Sequence, residues 1–373
     1  MTDPLPLAQA LIRCASVTPA DAGAQAVLGG ALEGLGFQVW HLPFGTTPNL
    51  FARRGDGGFH LCFAGHTDVV PPGEAAWSAD PFGAEVRYGA LIGRGACDMK
   101  GAVAAFVAAC ADHAATHSSG GSVSLLITGD EEGPALDGTR RVLEWMEAND
   151  QVPDLCLVGE PTNPDQLGDV VKIGRRGSLN ARIALEGVQG HVAYPHRADN
   201  PVHRLAAALS AMLAAPLDAG TNWFEPSSLQ VTSVDVGNPA TNVIPARAEA
   251  RLNIRFNDRH TGASLEAWLR AVVARHAERF RLDAECSGEA FLTQPGPLVE
   301  RLRAAIARAT GREPPRPDTG GGTSDARFIA RLCPVAEFGL VGRTMHQADE
   351  QVPVAELRQL AAIYGAVLAE FLT

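Results

Sequence analysis

The chain has 373 residues, 46% hydrophobic and 20% charged, with 42 acidic against 31 basic side chains and a formal charge of −11. That composition excludes a disordered or collagen-like chain, and the acidic balance excludes a general nucleic-acid binder, which needs a basic stripe to release counterions. At about 150 residues per domain, the length suggests two or three domains with a substantial core.

The first residues, MTDPLPLAQALIRCAS, lack the basic-then-apolar pattern of a secretory signal. The longest apolar run, 102–111, falls far short of the roughly 20 residues that span a bilayer. Seven cysteines are dispersed without a C-x-x-C pair, as expected of reduced thiols. The expectation is a cytoplasmic protein with neither membrane nor nucleic acid as partner.

Helical patterns cover 5–14 and 21–35, the second closed by Gly36, and a strand follows at 37–42. Apolar runs at 59–64, 123–128 and 154–158 read as buried strands, separated by helices at 100–115 and 138–148. Short apolar strands alternating with helices predict an α/β layer with a mostly parallel sheet. After Gly177 the texture changes. A strand at 178–186 leads to a helix from Asn200-Pro201 to Ala215, with a good N-cap and proline in the first turn. Alternating strands at 229–236 and 248–256, a helix at 264–280 and a strand at 281–286 complete a β-α-β-β-α-β order, the ferredoxin-like plan. Beyond Pro295 the first texture returns, with a helix at 298–309, a strand at 335–338 and a terminal helix after Pro353. The expected organisation is a catalytic domain of residues 1–176 and 291–373, interrupted by an inserted domain of residues 177–290.

Metal-capable residues stand where the apolar strands stop. His66-Thr67-Asp68 follows FHLCFAG, Asp130-Glu131-Glu132 follows VSLLITG, Glu160 follows DLCLVG, and Asp98 precedes the helix at Lys100. In open α/β sheets ligands gather outside the carboxyl ends of the strands, so these clusters can converge. One histidine with several carboxylates and no thiolate pair suits a catalytic Zn²⁺, Co²⁺ or Mn²⁺ better than a structural zinc. Singly, each piece has a plainer reading: a surface loop for H-x-D, a solvated face for D-E-E, a helix N-cap for Asp98. The recurrence at three strand ends favours the metal.

The segments GHTDVVP (65–71), GRGACDMKG (93–101), GDEEG (129–133) and GEP (159–161) resemble the signatures of the aminoacylase/carboxypeptidase-type (M20) di-zinc metallohydrolases. RRGS (175–178), GHVAYPH (190–196), TNVIP (241–245) and GGTSDARF (321–328) narrow the resemblance to members acting on succinylated diaminopimelate. The resemblance implies a metallopeptidase-like α/β domain with an inserted ferredoxin-like dimerisation domain, hence a homodimer. It implies two zinc ions per subunit, with cobalt as a substitute. Asp98 would bridge them, with His66 and Glu160 completing one site and Glu132 and His346 the other. Asp68 would orient His66, Glu131 would be the general base, and His191 would reach across the dimer to stabilise the oxyanion. Arg175 and Arg255 would bind substrate carboxylates, and Ser178, Tyr194, Asn242, Gly322 and Thr323 would line the pocket. The glycine-rich 320–324 segment lacks a P-loop lysine, so a backbone nest for a carboxylate is expected there rather than a phosphate cradle. The implied reaction is hydrolysis of N-succinyl-LL-2,6-diaminopimelate to succinate and LL-2,6-diaminopimelate. The alternatives are another N-acyl-amino-acid hydrolase, such as an acetylornithine deacetylase, or a metal-dependent carboxypeptidase. Two departures stand out: Thr241 replaces a first asparagine, and Gly342-Arg343-Thr344-Met345 replaces the usual residues before His346.

Overall fold

A computed structural model describes residues 1–116 and 120–373. They form two compact units: Met1–Ile173 with Thr293–Asp318 and Ser324–Thr373, and Gly174–Leu292 with Thr319–Thr323. The short segment carrying Gly322 and Thr323 therefore compacts with the second unit, although sequence position groups it with the first.

Among the described residues twelve strands carry the two principal sheets. In chain order they are β1 (Gln38–His41), β2 (Leu50–Arg54), β3 (His60–His66), β4 (Ser122–Thr128), β5 (Leu155–Val158), β6 (Val170–Lys172), β7 (Gly177–Glu186), β8 (Ser228–Asp235), β9 (Arg247–Phe256), β10 (Phe280–Gly288), β11 (Arg316–Asp318) and β12 (Val335–Glu337). The first unit holds an eight-stranded sheet in the order β1-β2-β4-β3-β5-β12-β6-β11. Its centre, β4-β3-β5-β12, is parallel throughout. Every residue of β3 and β4 is buried, which is why these strands read as mostly apolar runs rather than alternating ones. Sequence patterning missed β2, β6 and β11. LFARR, VVK and RPD are too short or too charged to announce a strand, and their neighbours recruit them.

Among the described residues nine α-helices accompany the sheets: α1 (Leu5–Arg13), α2 (Ala24–Gly34), α3 (Lys100–Thr116), α4 (Thr139–Ala148), α5 (Pro201–Leu213), α6 (Gly262–Ala274), α7 (Pro297–Thr310), α8 (Ala326–Ile329) and α9 (Val354–Leu372). α3 is buried nearly all round over its first three turns. Alanine keeps it thin enough to pack closely on both β3 and α9. Phe63 of β3 stacks on Phe106 of α3 at 4.3 Å, and Tyr364 of α9 meets both rings edge-on at 5.6 and 5.5 Å, the arrangement aromatic quadrupoles favour. No helix among the described residues is long and apolar enough to cross a membrane, and no disulfide joins any of the seven cysteines.

The second unit is a four-stranded antiparallel sheet in the order β8-β9-β7-β10. Together with α5 and α6 it follows a β-α-β-β-α-β order. Leu179, Ile183, Leu205, Leu252, Ile254, Leu265 and Leu269 form its core. The side chain of Asn200 caps α5 by accepting from Val202 N–H at 3.0 Å, as the Asn-Pro pair foretold. α6 is shorter than the periodicity suggests. A capping box at Thr261 and Ser264 starts it, it ends at Ala274, and Phe280 belongs to β10 opposite Leu185. Cross-strand pairing overrode helical spacing at that residue.

Candidate metal centre

Four adjacent parallel strands deliver the site. β3 ends on His66, β4 runs into Asp130-Glu131-Glu132, β5 runs into Glu160, and β12 leads to the loop that carries His346. Asp98 arrives from the turn before α3. A Cβ at Gly159 would lie 2.4 Å from the Phe63 ring, so only glycine lets the chain pass this close before Glu160.

The side chains converge as two clusters that share Asp98. His66 Nε2 lies 3.4 Å from Asp98 Oδ1 and 3.7 Å from Glu160 Oε1. His346 Nε2 lies 3.2 Å from Asp98 Oδ2 and 2.9 Å from Glu132 Oε1. One carboxylate thus presents one oxygen to each imidazole, which is the geometry of a bridging ligand. His66, Glu131 and Glu160 offer donor atoms within 4.8 Å of one another, as do His66, Asp98 and Glu132. His66 Nε2 and Asp98 Oδ1 are buried and make no hydrogen bond among the described residues. Orphaned buried atoms of this kind call for a partner. Two imidazoles and several carboxylates, closely packed and without thiolates, fit divalent zinc or cobalt.

The electrostatics agree. Burial pushes the Glu131 carboxyl up to about 8, with the negative charge of Asp325 adding to it. Burial, then Asp98 and Glu131, hold Glu160 well above the usual carboxylate range. Hydrogen bonds to Asp98 and Glu132 raise the His346 imidazole to about 10. Burial opposes the charged form of His66, but Asp98, Glu160 and Asp68 outweigh it and hold that imidazole well above 6.5. Burial would likewise raise Asp98, yet the two imidazoles hold it below the ordinary carboxylate range. So many acidic groups in one buried pocket repel each other, and a dication relieves that repulsion.

Asp68 differs from its expected contact. His66 Nδ1 meets the backbone carbonyl of Asp68 at 2.8 Å, whereas the Asp68 carboxylate is 3.6 Å from that nitrogen. The carboxylate instead accepts the N–H groups of Glu131 at 3.2 Å and Glu132 at 3.0 Å. It fixes the pair of glutamates, while the main chain fixes the tautomer of His66. Asp130 turns away from its neighbours: its carboxylate accepts from Leu136 and Asp137 N–H at 3.1 Å, closing the loop.

The expected substrate residues lie in the second unit, in three groups. His191 pairs with Val243 in a small two-stranded antiparallel sheet; beside it Val192 N–H donates to the Asn242 carbonyl at 3.1 Å, and the Tyr194 ring lies 5.7 Å from the His191 ring. His191 Nδ1 accepts from Ala193 N–H at 3.1 Å. The neutral ring therefore carries its proton on Nε2, as a donor. Ser178 and Arg255 are register partners on β7 and β9; burial, then the charge of Arg176, lowers the Arg255 guanidinium from its ordinary value, so an anion is favoured beside it. Arg175 donates to the carbonyls of Gly322 at 3.1 Å and Gly320 at 3.4 Å. Gly321 has φ +94°, and a Cβ there would meet Arg175 Nη1 at 2.8 Å. The glycine-rich segment therefore folds around this guanidinium, with Thr323 half-buried at its end. Sequence reasoning gave no role to Asp325, although it stands inside a quoted motif. A carboxylate becomes informative only once its burial beside Glu131 is known.

Comparison with known proteins agrees with this geometry. Residues 62–370 match the family model described as peptidase family M20/M25/M40. A succinyl-diaminopimelate desuccinylase of Gluconacetobacter diazotrophicus is 66% identical over 98% of this chain and 96% of its own. Among solved structures, the M20 metallo-carboxypeptidase Sso-CP2 of Sulfolobus solfataricus superposes with a TM-score of 0.80 at 16% identity, covering 100% of this chain and 99% of that one. The Bacillus subtilis YXEP protein, a dinuclear metal-binding M20 peptidase, does so at 0.74 and 15% identity, covering 99% and 98%. The chain belongs to peptidase family M20/M25/M40.

Proposed function

We propose that this protein is a metal-dependent amide hydrolase that cleaves N-succinyl-LL-2,6-diaminopimelate into succinate and LL-2,6-diaminopimelate, in the cytoplasm, as a step of lysine and diaminopimelate synthesis. The observation that carries the reading is Asp98, one oxygen toward each of two histidines, beside the buried Glu131. The 66% identity to a succinyl-diaminopimelate desuccinylase selects the substrate. His66, Asp98 and Glu160 would hold one zinc ion, and His346, Asp98 and Glu132 the other. When bound, the ions polarise the amide carbonyl and acidify a water. Glu131 takes the proton of the attacking water and returns it to the departing amine as the C–N bond breaks. Asp68 keeps Glu131 in place through its main-chain amide. Arg175 and Arg255 bind the carboxylates of the substrate.

A turnover assay on succinyl-diaminopimelate beside acetylornithine tests the substrate. The wild type is expected to favour the former. Arg255→Ala is expected to lose about 10–150-fold in kcat/KM on the succinyl substrate, the value of a charge-assisted hydrogen bond of about 1.5–3 kcal/mol. Acetylornithine should be affected far less. Equal losses on both substrates refute the assignment of Arg255.

The same reading makes the protein a homodimer through its second unit, with His191 donated to the partner's site. The outward Nε2 donor of His191 suits an oxyanion. Among the described residues β8 pairs only with β9 and leaves an edge with Val234 exposed, and such an edge is available for pairing. Glu131→Ala and His191→Ala dimers should each be nearly inactive. Refolding equal amounts together should restore roughly a quarter of wild-type activity, because a mixed dimer collects both lesions in one site. No recovery, or a monomeric mass in solution, overturns the arrangement.

A further inference from the structure

Arg94, inside the GRGACDMKG segment, and Glu350, four residues after His346, take no part in the chemistry above and are almost wholly buried, at 1% and 0% exposure. Buried ions are costly unless every lone pair and proton is matched. Here the matching, which leaves Arg94 Nε without a hydrogen bond among the described residues, is directed at the metal loops. Glu350 Oε1 accepts the main-chain N–H groups of Cys97 at 3.0 Å and Asp98 at 3.1 Å. Its Oε2 accepts Gly95 N–H at 3.1 Å and Arg94 Nη1 at 2.7 Å. Arg94 then spans two more loops. Nη1 donates to the Gln347 carbonyl at 3.2 Å, and Nη2 to the carbonyls of Pro71 at 3.3 Å, Pro72 at 3.4 Å and His346 at 3.5 Å. The guanidinium lies 5.1 Å from the centroid of the Trp77 ring. His346 itself has φ +62°, a left-handed conformation that a non-glycine residue keeps only when its surroundings enforce it.

We propose that Arg94 and Glu350 are a positioning pair that holds the main chain of Asp98 and of His346 in register before metal enters. The proposal rests on the metal-site reading above. Asp98 and His346 stand on separate loops, and His346 keeps a left-handed φ of +62°, so their main chains need a restraint that does not depend on the ion. A carboxylate can accept several N–H groups on both oxygens; a glutamine amide would turn N–H₂ against at least one of them. Arginine's planar fork reaches carbonyls on two loops at once, and lysine's point charge does not.

The test uses the metal-free full-length protein, with Co²⁺ alone as the probe. Affinity is read by competition with a chelator, ligand geometry by the visible absorption of bound Co²⁺, and folding by circular dichroism and melting. R94K and E350Q are expected to bind Co²⁺ about 10–100-fold more weakly, with an altered spectrum, the usual effect of removing outer-sphere support. Ser124→Ala is the control. It removes the Ser124 hydroxyl that hydrogen-bonds His60 at 2.8 Å, at the end of β3 remote from His66, and should melt lower while binding Co²⁺ as the wild type does. R94K, which keeps the charge beside Glu350, decides the matter if E350Q does not fold. A folded R94K with wild-type affinity and spectrum overturns the proposal, as does an equal weakening in Ser124→Ala. A wild type that takes up no Co²⁺ would instead defeat the metal-site reading itself.

Discussion

Glu131→Gln is expected to keep its full metal content and to lose about 10²–10⁴-fold in kcat, the usual cost of removing a general base. Glutamine preserves the volume of the side chain and leaves intact the main-chain N–H that donates to Asp68. The fold of the loop is therefore unchanged, and only the proton acceptor is gone. Glu132→Gln should behave oppositely. Its carboxylate meets His346 Nε2 at 2.9 Å, so its loss weakens metal binding first and activity as a consequence. Elemental analysis beside steady-state kinetics separates the two variants. If Glu131→Gln loses metal and Glu132→Gln does not, the roles of the adjacent glutamates are reversed.

Asp98→Ala is expected to empty both metal sites, whereas His66→Ala and His346→Ala should each weaken one. The asymmetry follows from the distances: Asp98 Oδ1 faces His66 at 3.4 Å and Oδ2 faces His346 at 3.2 Å, while the other near carboxylates differ, Glu160 at 3.7 Å from His66 and Glu132 at 2.9 Å from His346. Loss of a direct ligand should cost at least about 100-fold in affinity at each site, since outer-sphere changes alone cost about 10–100-fold. Metal content after dialysis against a chelator is the measurement. Full occupancy in Asp98→Ala would remove Asp98 from the bridging role.

The buried parallel strands were legible because burial on both faces favours predominantly apolar, non-alternating runs such as FHLCFA and VSLLIT. The candidate ligands at the strand ends were legible for a related reason: polar groups placed directly after such runs fall at one edge of the sheet. His346 was not legible from its own surroundings, since MHQADE is an ordinary polar loop; resemblance supplied it. Arg94 in GRGACDMKG and Glu350 at the end of MHQADE signified nothing by themselves, because a charged residue in a sequence is exposed by default.

By itself the sequence determined the alternating α/β texture, the inserted β-α-β-β-α-β segment and the residue types of a catalytic metal centre, all of which follow from local periodicity and composition. Only the tertiary structure decided that Asp68 grips the amides of Glu131 and Glu132 rather than the imidazole of His66, that Thr319–Thr323 compacts with the second unit, and that Glu350 gathers the amides of Gly95, Cys97 and Asp98. These contacts join residues as much as 255 positions apart. No local pattern encodes them: a carboxylate chooses its partners by which buried N–H groups the packed chain leaves unsatisfied around it.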